Sequence, residues 1–167
     1  MIGRRTFIQV GAGALGALAM PSLALAAGPG RVGHIQVRKA ARKLELISPD
    51  RKLIKSYDMR LGFKPVGAKR FQGDGRTPEG IYRIDRKNSQ SAFHLSLGVS
   101  YPSRKDLSYA ASRGRSPGGD IFIHGQPNGF QGVHSHDWTR GCIAVSNDDV
   151  EELWGLIPAS MQVAIFA

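Results

Sequence analysis

One cysteine stands in a chain of 167 residues, so no internal disulfide can hold the fold. Aromatic residues are few, at 8%, while glycine is abundant, at 21 residues; that balance favours strands and turns over a helical bundle. Acidic residues are outnumbered 13 to 23 by lysine and arginine, leaving a formal net charge of +10. A surface of that sign suits nucleic acid, an anionic membrane or an acidic polymer, or serves solubility alone. No internal repeat divides the chain, and its length fits one compact domain rather than two. Hydrophobic residues, at 41%, suffice for a buried core, so disorder is not the default.

One uncharged apolar run stands out, from Phe7 to Leu25, rich in Ala and Gly. Arg4 and Arg5 precede it, followed by Thr6-Phe7-Ile8, in the manner of a twin-arginine export signal. Ala24-Leu25-Ala26 offers the small residues that a signal peptidase reads, with cleavage before Ala27. Residues 1–26 are therefore expected to be a cleaved signal, 27–33 a linker and 34–167 the working domain. That places the protein in the periplasm or cell envelope, with membrane contact only through the signal segment before cleavage. An uncleaved anchor is the competing reading, but the run is short for a full span. No cysteine sits near the cleavage point, so this is not a lipoprotein. Losing Arg4 and Arg5 takes the charge from +10 to +8. Export removes nucleic acid from the set of partners and leaves an acidic wall polymer or anionic lipid.

Within the domain, His34–Val37, Lys43–Ile47 and Leu53–Met59 alternate apolar and polar residues as half-buried strands do. Ser48-Pro49-Asp50-Arg51 is turn chemistry, so the second and third of these form a hairpin. Gly73–Gly80 is a loop dense in turn formers, followed by a strand at Ile81–Ile84. Phe93–Leu97, Asp120–His124 and Cys142–Val145 read as further strands, and Ser103–Ser116 as a short helix or loop. Asn147 is expected to cap a helix whose apolar face is Val150, Leu153, Trp154 and Ile157, with the two following acids at its positive end. Pro158 stops it, and Met161–Phe166 is a closing strand.

Chemistry concentrates between Ile121 and Asn147. An unpaired thiol in an exported protein risks oxidation, so keeping Cys142 points to use; a buried inert cysteine is the alternative. Gly141 permits a tight turn in which backbone amides can converge as an oxyanion hole. Arg140 puts positive charge beside the sulfur, which favours the thiolate. His124 ends an apolar strand; its imidazole either takes the thiol proton or merely caps the strand. His134, His136 and Asp137 lie in the loop between. With His124 and Asp120 they offer a zinc reading, although the spacing matches no metal motif. A loop shaping the substrate entrance is the other reading.

His124-Gly125, a variable loop, then Thr139-Arg140-Gly141-Cys142 with Asn147 downstream resembles the signature of the YkuD-type L,D-transpeptidases. Cys142 lies 18 residues after His124, within that family's range. Ile35–Gly62 resembles the family's opening hairpin, and Thr77-Pro78-Glu79-Gly80-Ile81-Tyr82 its Thr-Pro-x-Gly-x-Tyr/Phe loop. The resemblance spans nearly all of the domain. Two positions depart from it: Arg140 replaces the commoner second His, and Ala144 replaces an Arg found two after the cysteine in many members.

The resemblance implies a mainly β, mostly antiparallel sandwich or barrel-like domain with one or two short helices, which agrees with the strand reading. It implies no metal or cofactor. The partners it implies are the tetrapeptide stems of peptidoglycan. Cys142 would be the nucleophile, His124 the base, and the amides of Gly141 and Cys142 the oxyanion hole. Arg140, Gly125, His134, His136 and Thr139 are the expected substrate-binding residues. The acyl acceptor is open: a stem amine, water, or the lysine of a wall-linked lipoprotein. Two rivals come from other classes, a zinc-dependent wall hydrolase and a non-catalytic wall-binding module.

Overall fold

Alternating burial marks β1 (His34–Arg38), whereas β2 (Lys43–Ile47) is buried along nearly its whole length and the edge strand β3 (Leu53–Asp58) is largely exposed. The computed structural model describes residues 31–167, so the export signal and most of the linker lie outside the described residues. β4 (Gly80–Ser91), β5 (His94–Val99), α1 (Arg104–Ala111), β6 (Ile121–His124), β7 (Ile143–Ala144), α2 (Asn147–Leu156) and β8 (Gln162–Phe166) follow. Eight strands form one sheet in the order β3-β2-β1-β8-β4-β5-β6-β7. Two neighbouring pairs are parallel, β1 with β8 and β6 with β7; the others are antiparallel.

The two ends of that order meet. After β3 the chain runs on to pair with the far edge: Arg60 bridges Ala144 antiparallel, and Gly62 bridges Thr139 in parallel. The sheet therefore curls into the expected barrel-like form. Ile35, Leu46, Leu61, Leu97, Ile123 and Ile143 are fully buried within it. Helix α2 covers β5 and β6 with Val150 and Leu153, and Ile157 at its C-cap is also fully buried.

Two elements differ from the sequence expectation, and a reading left open between helix and loop is resolved. β4 does not end at Ile84 but continues to Ser91 through polar, exposed residues. Its pairing with β5 survives two irregularities, between Ile84 and Arg86 and between Asn88 and Ser91. Backbone pairing needs no apolar side chain when a face is solvated, so the apolar pattern ends before the strand does. The Ser103–Ser116 stretch does contain a helix, α1, opened by a capping box: Ser103 Oγ accepts from Asp106 N (3.3 Å), and Ser103 N donates to Asp106 Oδ2 (3.0 Å). The cap of α2 is Ser146 rather than Asn147; Ser146 Oγ accepts from Asp149 N at 3.1 Å.

One buried charge fastens the loops on which the site rests. Lys39 is 2% exposed, and its Nζ donates to Gly67 O (2.7 Å), Thr77 O (3.2 Å) and Glu79 Oε1 (2.7 Å). Removing that ammonium strands a half-buried carboxylate and two carbonyls. Lys39→Met is expected to cost about 3 kcal/mol, read as a lowered urea midpoint. An unchanged midpoint would mean that solvent takes over these acceptors.

Candidate active site

The turn carrying Cys142 is clamped at both ends by the segment after β3. Phe63 N donates to Thr139 O (2.9 Å), and Thr139 N to Leu61 O (3.1 Å). Arg60 N donates to Ala144 O (2.7 Å), and Ala144 N to Arg60 O (2.8 Å). Inside the turn, the buried Thr139 hydroxyl donates to Cys142 O (2.7 Å) and accepts from Gly141 N (3.1 Å). Gly141 has φ 132, and a Cβ there would sit 2.6 Å from Arg76 O. Only glycine meets both conditions. The loop before β4 thus lies directly against the cysteine turn.

His124 ends β6, in register with Ser96 of β5 on one side and Ala144 of β7 on the other. It is 3% exposed. Its ring packs against Phe93 (centroids 4.7 Å) and edge-on to Trp138 (5.7 Å). Nδ1 lies 2.7 Å from Gly125 O. A carbonyl only accepts, so Nδ1 carries the proton and Nε2 is left with its lone pair, the form a general base needs. Burial pushes the imidazole pKa below its ordinary value, partly offset by the Gly125 carbonyl. Gly125 is required because Asn147 approaches closely: a Cβ would sit 2.5 Å from Asn147 Oδ1. That oxygen accepts from Gln126 N at 2.8 Å, which explains why Asn147 is not free to cap α2.

Cys142 and His124 line one cleft of about 290 Å³, with Ser91, Ser96, Asp120 and Phe122 around them. The thiol donates to Asp120 O (3.4 Å). Asp120 has φ 54, a conformation uncommon outside glycine. Burial pushes the thiol pKa up and the Asp120 carboxylate adds to it, while the Phe122 amide and Lys69 pull it down. Arg140, the cation next to the cysteine in sequence, is exposed; the cation that lowers the thiol pKa is Lys69, on a separate loop. The Lys69 ammonium is held by Phe71 O and Asp74 Oδ1, both at 3.0 Å. Desolvation outweighs it, so burial favours the neutral form of both the thiol and the imidazole.

The remaining candidates separate. Thr139 and Gly125 are buried and touch protein. His134 stacks on Phe130 (4.3 Å, 5° between planes) and reaches Trp138 (4.6 Å) and His136 (5.8 Å). Its amide donates to Gln126 Oε1 (3.2 Å), and Gln126 Nε2 donates to Val145 O (2.6 Å). The two loop histidines therefore border the site through Trp138. The donor set of the zinc reading is not assembled. Asp137 holds Arg42 (Nη2–Oδ2 2.6 Å) and the Leu61 amide (2.8 Å), and Asp120 pairs with Arg86 (3.2 Å). Among the described residues no three His, Cys, Asp or Glu side chains are grouped to hold a metal ion. Sequence reasoning missed Lys69, Gln126, and the pairing of Asp137 with Arg42. Only Gln126 carried a signal, as a polar residue just after an apolar strand.

Residues 33–165 match the YkuD family, the L,D-transpeptidase catalytic domain, and the chain belongs to that family. Among curated proteins it is similar to the putative L,D-transpeptidase YafK of Escherichia coli K12, 23% identical over 145 residues, covering 80% of this chain and 53% of that protein. Among solved structures it is similar to the helical cell shape determining protein Pgp2 from Campylobacter jejuni, at 26% identity and TM-score 0.64, covering 81% of this chain and 48% of that one. Bd1075 from Bdellovibrio bacteriovorus is similar too, at 27% identity and TM-score 0.60, covering 82% and 48%. This chain spans about half the length of each.

Two measurements check the site. Iodoacetamide alkylation of Cys142 is expected to accelerate up to and beyond about pH 9, the upper end of ordinary thiol titration; a plateau near neutral pH would mean a preformed thiolate. Gly141→Ala is expected to retain the fold but move the turn, slowing alkylation or turnover at least about tenfold, since an ångström of displacement costs far more than that in well-aligned sites.

Proposed function

We propose that this protein is a cysteine acyl-transferase acting on the tetrapeptide stems of peptidoglycan. The observation that carries it is the shared cleft of Cys142 and His124, with the imidazole proton fixed on Nδ1 by Gly125 O. His124 Nε2 takes the thiol proton as the sulfur attacks the carbonyl on the L-centre of the third stem residue, usually diaminopimelate. The Cys142 amide holds the oxyanion, joined by the Gly141 amide when it leaves Thr139 Oγ1. The tetrahedral intermediate collapses to a thioester. The bond to the terminal D-Ala breaks, and His124 returns the proton to the departing amine. An amine of a second stem then attacks the thioester, forms the new amide and releases the thiol. Two easier steps replace one direct amide exchange. Arg140 and the loop histidines His134 and His136 are the proposed carboxylate contacts, Arg140 through its planar fork.

Membership of the L,D-transpeptidase family supports this reading, as does the likeness to YafK. The export signal read at residues 1–26 assigns the reaction to the periplasm or cell envelope. Likeness to a protein whose printed role is determining helical cell shape supports a part in wall remodelling. With water as acceptor the same thioester gives a carboxypeptidase, and with a protein lysine it attaches a lipoprotein to the wall.

Incubation with disaccharide-tetrapeptide, read by mass spectrometry, tests the reaction. The expected product is a cross-linked dimer lacking one D-Ala, absent with Cys142→Ala. Free tripeptide would instead identify a carboxypeptidase. His124→Ala is expected to lower kcat/KM by about a hundredfold or more, and the acid limb of the wild-type profile to fall below about pH 6.5, because only the neutral imidazole accepts the proton. A Cys142→Ala protein as active as the wild type would sink the cysteine mechanism.

A further inference from the structure

The segment from β5 to β6, with Arg70 from the loop between β3 and β4, collects cations that nothing in the proposed reaction uses. Arg70, Arg104, Lys105, Arg113 and Arg115 lie on α1 and the loops beside it. Among the described residues none of the five has a carboxylate oxygen within 4.0 Å, whereas most ion pairs elsewhere are closed below 3 Å.

Two features separate this face from an ordinary solvated surface. The first is that its guanidinium groups lie over aromatic rings. Arg113 lies 3.7 Å from the Tyr109 ring centre and Arg70 lies 4.7 Å from the same ring. Arg115 lies 3.8 Å from the Phe71 ring, which itself packs on Tyr109 at 5.9 Å. Arg113 Nη1 also bonds Ser112 Oγ (2.9 Å) and Tyr109 O (3.3 Å). Three like charges are thus gathered around two touching rings, and the carboxylate beside them, Asp74, is taken up by the Arg70 and Phe71 amides (2.7 and 3.0 Å) and by Lys69 (3.0 Å) rather than by a guanidinium. Such crowding is unfavourable alone and favourable once an anion enters. Guanidinium groups resting on rings lower the ordering cost of bidentate contact with carboxylates.

The second feature is continuity with the cleft. Arg115 is followed by a strand of loop that ends at Asp120, whose carbonyl receives the Cys142 thiol. Gln72 N donates to Ser116 O (2.9 Å), and Tyr101 Oη donates to Pro117 O (3.1 Å), so this loop is anchored. Five residues span at most about 18 Å, less than the reach of a stem-bearing glycan.

We propose that the face formed by Arg70, Arg113 and Arg115 over Tyr109 and Phe71 is a second binding site, for the free carboxylates of peptide stems on a peptidoglycan strand that also feeds the Cys142 cleft. This rests on the proposed reaction for the identity of the polymer. A lipid surface fits less well: α1 exposes one large apolar side chain, Leu107, too little to enter an acyl layer.

The test separates binding from turnover. Cys142→Ala protein is sedimented with insoluble diaminopimelate-type peptidoglycan, beside the same protein carrying Arg70→Gln, Arg113→Gln and Arg115→Gln. Binding is expected to weaken about tenfold and to lose most of its salt dependence. Converting the stem carboxylates to amides should weaken the parent to the level of the triple variant. With Cys142 restored, the triple variant should turn over soluble disaccharide-tetrapeptide at the wild-type kcat/KM, while KM rises on polymeric wall. Equal sedimentation of parent and triple variant overturns the proposal, as does indifference to amidation. Tighter binding to phosphatidylglycerol vesicles than to wall, abolished by the same substitutions, overturns it in favour of a membrane. If the triple variant fails to fold, Arg115→Gln alone decides the matter on the same assay, with about a threefold loss expected. If no stem is turned over by the wild type, the proposed reaction fails while sedimentation still decides the second site.

Discussion

Four backbone hydrogen bonds between residues 60–63 and the two ends of the cysteine turn hold the site in place. They are also the bonds that join the outer strands of the sheet, so closure of the fold and placement of Cys142 are one event. Asp137 reinforces the same junction by taking the Leu61 amide together with Arg42. A carboxylate that bonds a guanidinium and a backbone amide at once leaves neither partner unsatisfied. Freed from that junction, the two-residue strand β7 would have only β6 to pair with, too little to fix a sulfur to within an ångström.

The closed sheet also sets the electrostatics. His124 and Cys142 lie on the inner side of short strands among aromatic rings, and burial disfavours the charged form of each. That shifts the imidazole down and the thiol up, in opposite directions from those that would create a resting ion pair. A thiol whose pKa is raised is less open to oxidation, because the thiolate is the vulnerable form. Reactivity then depends on substrate. A bound carbonyl gives the proton transfer somewhere to lead, and the fixed Nδ1 tautomer means that the imidazole need not reorganise first.

Much of this was legible in the chain because the residues that carry it are of types with few alternatives. His124, Gly141 and Cys142 stand at turn or strand-end positions, and alternating stretches such as Lys43–Ile47 declare their strands. What stayed hidden depends on distance in sequence. Arg42 and Asp137 are 95 residues apart, and no local pattern joins them; Asp137 therefore read as a metal ligand beside two histidines. Lys69 acts on the sulfur from a separate loop, so the adjacent Arg140 took its part in a linear reading. β4 beyond Ile84 is exposed on both faces, and its polar side chains conceal pairing made wholly by the backbone.

The identity of several motif residues is fixed by packing. Gly125 is glycine because Asn147 Oδ1 occupies the space of its Cβ, and Asn147 is there to bind the Gln126 amide. Gln126 in turn spans to Val145 and the loop bearing His134. Gly141 is glycine because Arg76 O lies against it, and Thr139 is present to tie the turn internally. Each of these contacts joins the β6 side of the cleft or the β7 side to a third segment. Replacing the commoner His by Arg140 disturbs none of them, since Arg140 points away from this packing into solvent. The packed part of the signature is thus separable from its exposed part, and a substitution in the second can leave the turn undisturbed.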